Sequence, residues 1–335
     1  MDFRIHKDFS EIDPQDWNAL VEKSIADTPF SRYEYLSEWW KTGGGGEWKT
    51  AQLVLISAVE NDQLIGIAPL FLAEHDGEQA LLFVGSIEIS DYLDLIVGAE
   101  ELPRFLAGLM DILASDYASA WSALDWYNLP DDSPTLPALR AESARRGWTY
   151  HEEIYRPTPR IALNGSFEEY LARLDKKQRH EIRRKMRRAA ESGRVRFYVV
   201  DRNADIEAEL ESFFHLMIQD PNKALFLRDV MRDQMSRSIR AAHVYGYLWL
   251  GFLEIDGIKA AASLNFDYKN KLWGYNSGVS RDFMELSPGW VLLAHTIQWC
   301  CEHGRYEFDF MRGDEEYKYR FGGVNRYVMR VKVKR

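Results

Sequence analysis

The chain carries the same order of predicted elements twice, and this repetition narrows the possible folds more than any other pattern. Segment 52–73 reads as two apolar strands around the turn signal Asn61-Asp62, and segment 244–268 reads as two more around Asp256-Gly257. In each copy a helical pattern and a further short strand follow. Strands that alternate with helices in this way predict a mixed α/β sheet, present here in two tandem units.

The two copies also correspond near their ends. Leu124-Asp125-Trp126 and Phe308-Asp309-Phe310 each follow a predicted helix of similar length. Arg156-Pro157-Thr158-Pro159 separates the copies and is typical of a linker. We therefore predict an α/β fold of two similar units packed together, the first over residues 1–156 and the second over residues 157–335.

Polar side chains gather after the strands of the second copy. Where the second copy has Tyr317-Lys318, the first has Ser133-Pro134, so we expect the second unit to carry the chemistry and the first to be non-catalytic. Ligands of α/β sheets bind at the carboxyl ends of strands. One sheet end is therefore expected to hold Tyr275, Asn276, Asp309, Arg312, Asp314, Tyr317 and Lys318. A structural alternative, in which Asp309 caps a turn and Arg312 pairs with Asp314, stays open.

The stretch Leu286-Ser287-Pro288-Gly289 precedes an apolar helix predicted from about Trp290 to Glu302. Serine is a favoured N-cap, proline suits the first helical turn, and glycine lets another group approach the backbone closely. Free N–H groups and the positive end of the helix dipole at such a start can hold a phosphate. An ordinary capped helix fits the same residues equally well when they are taken alone.

Residues 175–192 form the most biased segment of the chain. An apolar stripe that includes Ile182 and Met186 predicts an amphipathic helix, and its other faces are strongly basic. Such a face is either simply solvated or a docking surface for an anionic partner, such as a carrier domain, a phosphorylated sugar lipid or an anionic membrane. The docking hypothesis rests on Arg183, Arg184, Arg187 and Arg188.

Composition limits the classes of partner and compartment. The 335 residues are 46% hydrophobic and 28% charged, which is ordinary for a globular protein. Lys and Arg number 42 against 52 Asp and Glu, giving a net charge of −10, so a nucleic-acid partner is not expected. The sequence has no apolar run of transmembrane length and no apolar core of a signal peptide near Met1. These observations predict a cytoplasmic protein, with a peripheral place at the inner face of the membrane left open.

Several enzyme classes lack their sequence signals. His295, Cys300, Cys301 and His303 share one predicted helix at spacings that do not form a chelate, and no metal site is predicted. The glycine run at 43–46 lacks the Lys-Ser/Thr of a P-loop and reads as a flexible loop. Neither a Gly-x-Ser-x-Gly elbow nor a Gly-x-Gly-x-x-Gly fingerprint occurs, which disfavours serine hydrolases and dinucleotide enzymes.

The C-terminal half resembles a known family. Ser287-Pro288-Gly289, the run from Phe308 to Asp314 with Tyr317-Lys318, and segment 167–188 are similar to the CelD/BcsL-type (BioF2-like) branch of the GNAT N-acyltransferase superfamily, relatives of the FemABX peptidyltransferases. The resemblance implies two GNAT-like units. It also implies transfer of an acyl group, in the simplest case acetyl, from acyl-CoA or an acyl carrier to an amine. An amino sugar or glycolipid precursor in exopolysaccharide or cell-envelope synthesis would be the acceptor.

Acyl transfer of this kind assigns roles to the polar residues. Asp309 or Asp314 would take the proton from the ammonium, and Tyr275 or Tyr317 would protonate the leaving thiolate. Residues 286–289 would hold the CoA pyrophosphate, and no metal is required. Binding of the substrate would fall to Lys318, Arg312 and Asn276.

Two alternatives stay open at this point. The first is FemABX-like transfer of an amino acid from aminoacyl-tRNA to a peptidoglycan precursor, in which the basic helix would serve the tRNA. The second is a non-catalytic binding module that docks on a polysaccharide-synthesis complex. Acyl length, acceptor and oligomeric state are open in each case.

Overall fold

A computed structural model describes residues 1–115, 117 and 119–335, and it is a mixed α/β structure, which confirms the predicted fold class. The chain divides into two compact units. The first comprises Met1–Pro157 with Arg326–Arg335, and the second comprises Thr158–Asn325. The last ten residues, which we expected in the second unit, thus lie in the first.

The first unit contains a sheet with the strand order β1-β2-β3-β4-β6-β13-β7. Its neighbours β4 and β6 are parallel, whereas β1, β2, β3 and β4 form an antiparallel series. The elements of this unit are β1 (Asp2–His6), α1 (Pro14–Val21), α2 (Tyr33–Lys41), β2 (Gln52–Glu60), β3 (Gln63–His75), β4 (Glu78–Phe83), β5 (Ile96–Val97), α3 (Leu102–Ser115), β6 (Ala123–Pro130), α4 (Thr135–Arg146), β7 (Thr149–Ala162, ending in the second unit) and β13 (Val324–Lys334).

The second unit repeats the arrangement with the strand order β12-β11-β10-β9-β8. Here β11 and β12 are the parallel pair, β8 to β11 are antiparallel, and the end of β7 pairs with β12. The elements are α5 (Phe167–Arg173), α6 (Lys176–Glu191), β8 (Val195–Val199), α7 (Ile206–Met217), α8 (Pro221–Phe226), α9 (Asp229–Val244), β9 (Leu248–Ile255), β10 (Ile258–Tyr268), β11 (Lys271–Val279), α10 (Pro288–Glu302), β12 (Glu307–Asp309) and α11 (Glu316–Arg320).

Both faces of the second sheet are covered by helices. Successive residues of β9 point to opposite faces. Trp249 packs in a cluster with Ile297 of α10, and Leu250 packs in another with Phe213 of α7. The basic helix α6 contributes Ile182 to the same cluster as α10, so its apolar stripe is already used in the core. This packing explains why the strand residues are apolar on both sides.

The proline-rich segment expected to be a linker is instead part of a strand. Pro157 and Pro159 lie inside β7, which runs without interruption from Thr149 to Ala162. Proline and the residue before it both favour extended backbone, which is compatible with a strand. The division between the two units nevertheless falls at Pro157.

One carboxylate of the first unit lies in its interior. Asp94 is 3% exposed and accepts hydrogen bonds from the hydroxyls of Ser133 and Thr135 and from the N–H of Leu95. Burial raises the pKa of Asp94 to about 6, although these three donors act in the opposite direction. The group therefore titrates well above the range of an exposed aspartate.

Candidate active site

The candidate site begins where two parallel strands of the second unit separate. β11 pairs with β12 over three residues only, from Lys271 opposite Glu307 to Trp273 opposite Asp309. β11 then continues to Val279 while paired with β10 alone on its other side. Its backbone polar groups beyond Trp273 therefore have no strand on the β12 side within the described residues. The result is a cleft with hydrogen-bonding groups along one wall.

A β-bulge lies at the mouth of this cleft. The register of β10 and β11 shifts between Leu264 and Asn265, which leaves Tyr275 without an opposite residue on β10. The ring of Tyr275 packs on Phe266 and against the cluster under α7. Bulges bend a strand and turn its side chains in new directions. Here the bulge places Tyr275 and the following Asn276 at the part of β11 that has left β12.

The helix start predicted to hold the donor lies beside the end of β11. A Cβ atom on Gly289 would sit 2.9 Å from Cγ2 of Val279, so the backbone of α10 approaches β11 closely there. Leu286 and Pro288 are buried and anchor the approach. Ser287 occupies the N-cap position, but in the left-handed conformation (φ 53°), and its side chain makes no capping hydrogen bond. The expected serine cap is therefore absent, and the Ser287 hydroxyl does not cover the N–H groups of the first turn.

Asp309 has a different environment from the one we expected of a proton acceptor. Its side chain is fully buried, and Oδ2 lies 3.2 Å from Nε of Arg160 on β7. Oδ1 accepts a hydrogen bond of 2.8 Å from the N–H of Met311, the residue that turns the chain out of the strand (φ 60°). These contacts correspond to the turn-capping alternative. They show that Asp309 caps this turn, and its role as base stays a prediction.

Lys318 is likewise directed inward. It is 2% exposed, and Nζ donates to the backbone oxygens of Met311, Arg312 and Gly313, at 3.3, 2.7 and 3.4 Å. The Glu315 carboxylate lies 2.9 Å from the same ammonium. Lys318 therefore holds the loop from 311 to 315 in place, and its expected role in binding an acceptor or donor anion would require it to leave these partners.

The remaining predicted site residues differ in their exposure and in their contacts. Asp314 is exposed and has no hydrogen bond or ion pair with any described residue. The ring of Tyr317 contacts Phe310, and loss of water around its hydroxyl together with the Glu315 carboxylate raises the pKa of Tyr317. Arg312 is half-buried, and Asn276 accepts a hydrogen bond from the N–H of Ser277. Asp314 and Lys318 thus do not face the same surroundings, despite their spacing of four residues.

Sequence reasoning did not identify Lys223, which lies at the open edge of β11. Its ammonium donates to the backbone oxygen of Ser277 at 2.6 Å and to the Ser277 hydroxyl at 3.3 Å. Burial lowers the pKa of Lys223, against the opposing charges of Asp220 and Glu315. Asp220-Pro221 at the start of α8 is a local helix signal, but the contact of Lys223 with Ser277 crosses 54 residues and has no local signature.

Asn265 is a second residue that the sequence did not reveal. It is fully buried at the bulge, and its Nδ2 donates to the Ser263 hydroxyl at 2.9 Å. Its Oδ1 has no hydrogen-bond partner among the described residues and would lie 3.6 Å from a Cβ atom on Gly274. A buried acceptor without a donor is costly unless water or a ligand supplies one. Asn265 therefore marks the base of the cleft as a polar position.

In the first unit, the space that corresponds to the cleft between β11 and β12 is filled by a segment of the chain. β4 and β6 share only two parallel pairs, and the buried segment 84–95 follows β4. Nδ2 of Asn128 on β6 donates to the backbone oxygens of Ile87 and Ser90, at 3.1 and 2.9 Å, and the backbone oxygen of Asn128 accepts from the N–H of Leu93 at 3.0 Å. This segment fills the space beyond the short parallel ladder.

Asp125 in the first unit is, like Asp309 in the second, a buried carboxylate beside an arginine. It is fully buried and forms a two-point contact with Arg330, at 2.8 and 2.7 Å. The carboxylates of Asp125 and Asp76 and the imidazole of His75 offer ligand atoms within 4.8 Å of one another, a spacing that could hold a cation. Arg330 already neutralises both carboxylates, so we assign this cluster to the folding of the first unit.

Comparison with known proteins agrees with this geometry. Residues 176–319, less than half of the chain, match the model of the family described as acetyltransferase (GNAT) domain. The matched residues lie in the second unit and include the strand separation, α10 and Lys318. The second unit is thus similar to a transferase domain of the GNAT class, while the finer CelD/BcsL assignment stays a prediction. No curated protein matches the chain significantly.

Solved structures show the same fold over the whole chain. A crystal structure of FemX is 13% identical with a TM-score of 0.70, covering 98% of this chain and 97% of that one. The C-terminal domain of a putative lysylphosphatidylglycerol synthetase from Agrobacterium fabrum is 12% identical with a TM-score of 0.61, covering 98% and 92%. L-PGS from Bacillus licheniformis is 11% identical with a TM-score of 0.58, covering 96% and 92%. At such identities the likeness concerns the fold alone.

Proposed function

We propose that the second unit transfers an acyl group, in the simplest case acetyl, from acyl-CoA to a primary amine. The observation that carries this proposal is the separation of β11 from β12 beside the start of α10. The cleft offers backbone groups along β11 to an extended amide-containing donor, and the helix start offers N–H groups to its pyrophosphate. The match of residues 176–319 to a GNAT domain supports the same chemistry.

The donor would enter along the open edge of β11. Because the Ser287 side chain does not cap α10, the first N–H groups of that helix are available to an anion. Pro288 has no N–H, so Gly289 and Trp290 are the first donors. Backbone N–H groups near the bulge at Tyr275 would polarise the thioester carbonyl. In this proposal residues 286–289 form the donor-binding segment.

Proton transfer requires a base near pH 7 and an acid for the thiolate. Asp314 is an exposed carboxylate without a partner among described residues, and Lys223 is an amine whose pKa burial lowers toward the working range. We propose these two as the candidates for proton removal. Tyr317 stays protonated at neutral pH and is a candidate for proton donation to the leaving thiolate, although its raised pKa makes the phenol a weaker acid than an exposed tyrosine. Tyr275 is the second candidate for that role.

The acceptor would approach from the loop that Lys318 holds. Arg312, Asp314 and Glu315 belong to this loop, and together with Asn276 on β11 they are a mixture that suits an amine carried on a hydroxylated or anionic compound. The family resemblance suggests an amino sugar or glycolipid precursor. In this proposal the first unit is non-catalytic, because segment 84–95 fills its counterpart of the cleft.

A second candidate function is FemABX-like transfer from aminoacyl-tRNA. It is favoured by the similarity to FemX over 98% of the chain and by the exposed basic residues of α6. A binding module without catalysis is a third, in which the fold would serve only to dock on a synthesis complex. Each would use the fold without a CoA-dependent step.

Thermal shift with three ligands separates these candidates. Purified chain is heated with CoA, acetyl-CoA or bulk tRNA, since a ligand at 100 times its Kd stabilises the folded state by about 2.7 kcal/mol. Stabilisation by CoA and acetyl-CoA, together with release of free thiol on addition of an amine mixture, supports acyl transfer. Stabilisation by tRNA without CoA favours the FemABX-like reaction. No shift with any ligand contradicts both enzymatic proposals and favours the binding module.

A further inference from the structure

A serine and a lysine meet at the open edge of β11, and direct acyl transfer uses only the lysine. The Lys223 amine lies 3.3 Å from the hydroxyl oxygen of Ser277 and 2.6 Å from the backbone oxygen of the same residue. Its other side-chain partners within the described residues include no hydrogen-bond acceptor and no ion pair. A base within hydrogen-bond reach of a serine hydroxyl is the arrangement that activates serine as a nucleophile, and lysine is one of the bases that serve.

The side chain of Ser277 lies on the face of β11 that is turned toward α10. A Cβ atom on the next residue, Gly278, would lie 2.5 Å from the backbone at the end of α7, so Gly278 faces α7. Successive strand residues point to opposite faces, so Ser277 and Val279 share the other face. Val279 is the residue that the start of α10 approaches at Gly289. The Ser277 hydroxyl is therefore about 7 Å along the strand from the proposed donor-binding segment.

Lys223 reaches Ser277 from the other side of the sheet, across the open edge. It belongs to α8, whose Phe226 packs against the cluster under α7. The Asp220 carboxylate accepts from the N–H groups of Asn222 and Lys223, at 2.8 and 3.3 Å, and so fixes the start of this short helix. Within the described residues, no strand pairs with β11 beyond Trp273 on the β12 side. The amine can therefore approach the backbone oxygen where a neighbouring strand would otherwise lie.

The two contacts of Lys223 fit a neutral amine. Such an amine has two N–H groups and one lone pair, so it can donate to the Ser277 backbone oxygen and accept from the hydroxyl at the same time. Burial lowers the pKa of Lys223, and this effect exceeds the opposing effect of the charges on Asp220 and Glu315. Burial thus increases the neutral fraction that can act as a base, a role for which buried lysines are suited.

We propose that Ser277 is a nucleophile that carries the acyl group as a covalent ester, with Lys223 as its base. The step rests on the proposed function, because the donor thioester would have to lie along β11. Lys223 would take the hydroxyl proton while Oγ of Ser277 forms a bond to the thioester carbon. The carbon–sulfur bond then breaks, and CoA leaves as the thiol with the proton that Lys223 had taken.

The second half of the reaction regenerates the serine. The acceptor amine attacks the ester carbon, the amide bond forms, and the bond from that carbon to Oγ breaks. Lys223 takes one proton from the attacking nitrogen and passes it to Oγ of Ser277. No oxidant, reductant or further reactant is required, and one acyl group moves from sulfur to nitrogen in each cycle.

Mass spectrometry of the full chain after mixing with acetyl-CoA, without an amine, tests the intermediate. The chain should gain one acetyl group on Ser277 and release one CoA, and Ser277→Ala should abolish both. Ser280→Ala is the matched control, because it removes the hydroxyl of a nearby serine whose contact is with the N–H of Asp282 instead of a lysine. It should be acetylated like the unchanged chain. Acetylation of Lys223 in place of Ser277 would overturn the assignment of the nucleophile.

Lys223→Arg separates the base from a merely structural contact. Arginine can still donate to the Ser277 backbone oxygen, but it cannot accept a proton near neutral pH. Acetylation should therefore slow by about 10²–10⁴-fold, the usual contribution of general base catalysis. Circular dichroism confirms that each variant is folded. An unchanged rate of acetylation in folded Lys223→Arg would overturn the role of Lys223.

A donor without CoA distinguishes failure of the intermediate from failure of the proposed function. With p-nitrophenyl acetate, a burst of one nitrophenolate per chain that is lost in Ser277→Ala supports the serine nucleophile, even where acetyl-CoA does not react. Steady release of CoA with an amine mixture, by a chain that never carries an acetyl group, overturns the intermediate and leaves acyl transfer in place. Absence of reaction with both donors overturns both.

Discussion

Asp309→Asn distinguishes a structural carboxylate from a catalytic one. The substitution keeps an oxygen that can accept from the N–H of Met311, but it removes the charge opposite Arg160. Breaking a buried ion pair from one side costs about 3–5 kcal/mol, because the other charge is left uncompensated. Arg160 is still 16% exposed, and Glu307 lies 3.9 Å from it, so we expect the lower end, about 3 kcal/mol.

Equilibrium urea denaturation measures this loss, and turnover measures the catalytic effect. With a slope of about 3 kcal/mol/M, the midpoint should fall by about 1 M. The double variant Arg160→Met/Asp309→Asn should recover part of the loss, because no unpaired charge remains. The kcat of folded Asp309→Asn should stay within about threefold, whereas loss of a general base lowers kcat by about 10²–10⁴. An unchanged midpoint with a kcat loss of that size would refute the structural assignment.

Three further changes test other parts of the account. Raising the pH from about 4 to about 6 should lower the free energy of unfolding by up to about 3 kcal/mol, because the folded state holds the Asp94 proton over that range and the unfolded state does not. Urea titrations at several pH values measure this dependence, and Asp94→Asn should remove it. Lys318→Met should loosen the loop from 311 to 315 and lower the free energy of unfolding by about 2–4 kcal/mol. An unchanged melting temperature with a raised KM for the acceptor would instead make Lys318 a binding residue. If Lys223 is the base, kcat/KM should rise with pH as its ammonium loses a proton, because burial lowers the pKa of that amine. Lys223→Met should remove this rise, since methionine cannot accept a proton. A profile of the variant that still rises with pH excludes Lys223 as the base.

Local patterns were sufficient to predict much of the fold. The hairpin of β9 and β10 shows the period of strands around Asp256-Gly257, and α10 shows apolar residues at helical spacing after Pro288. The internal repeat was visible because the order of elements survives even where identities do not. The prediction of a linker was wrong because Pro157 and Pro159, which indicate a turn when they are read alone, lie in the extended strand β7.

The position of the candidate site in the fold followed from the sequence, but the contacts of its side chains did not. Strand ends and the α10 start indicated the part of the second sheet where β11 and β12 separate, since chain order alone brings these elements together. Which way a side chain turns depends on contacts far along the chain. Lys318 folds back on its own loop, and Asp309 meets Arg160, 149 residues earlier. Lys223 and Asn265 became visible only through their contacts with Ser277 and Ser263.

Calorimetric titration with CoA tests the central claim most directly. We predict one CoA per chain, because segment 84–95 fills the corresponding space in the first unit. Gly289→Glu should abolish the heat of binding by placing bulk and negative charge at the helix start. Gly289→Ala is the matched steric control. It adds the same Cβ atom, 2.9 Å from Cγ2 of Val279, but no charge, and it should retain binding. Undiminished CoA affinity in Gly289→Glu, or two CoA molecules per chain, would contradict the assignment of the donor site.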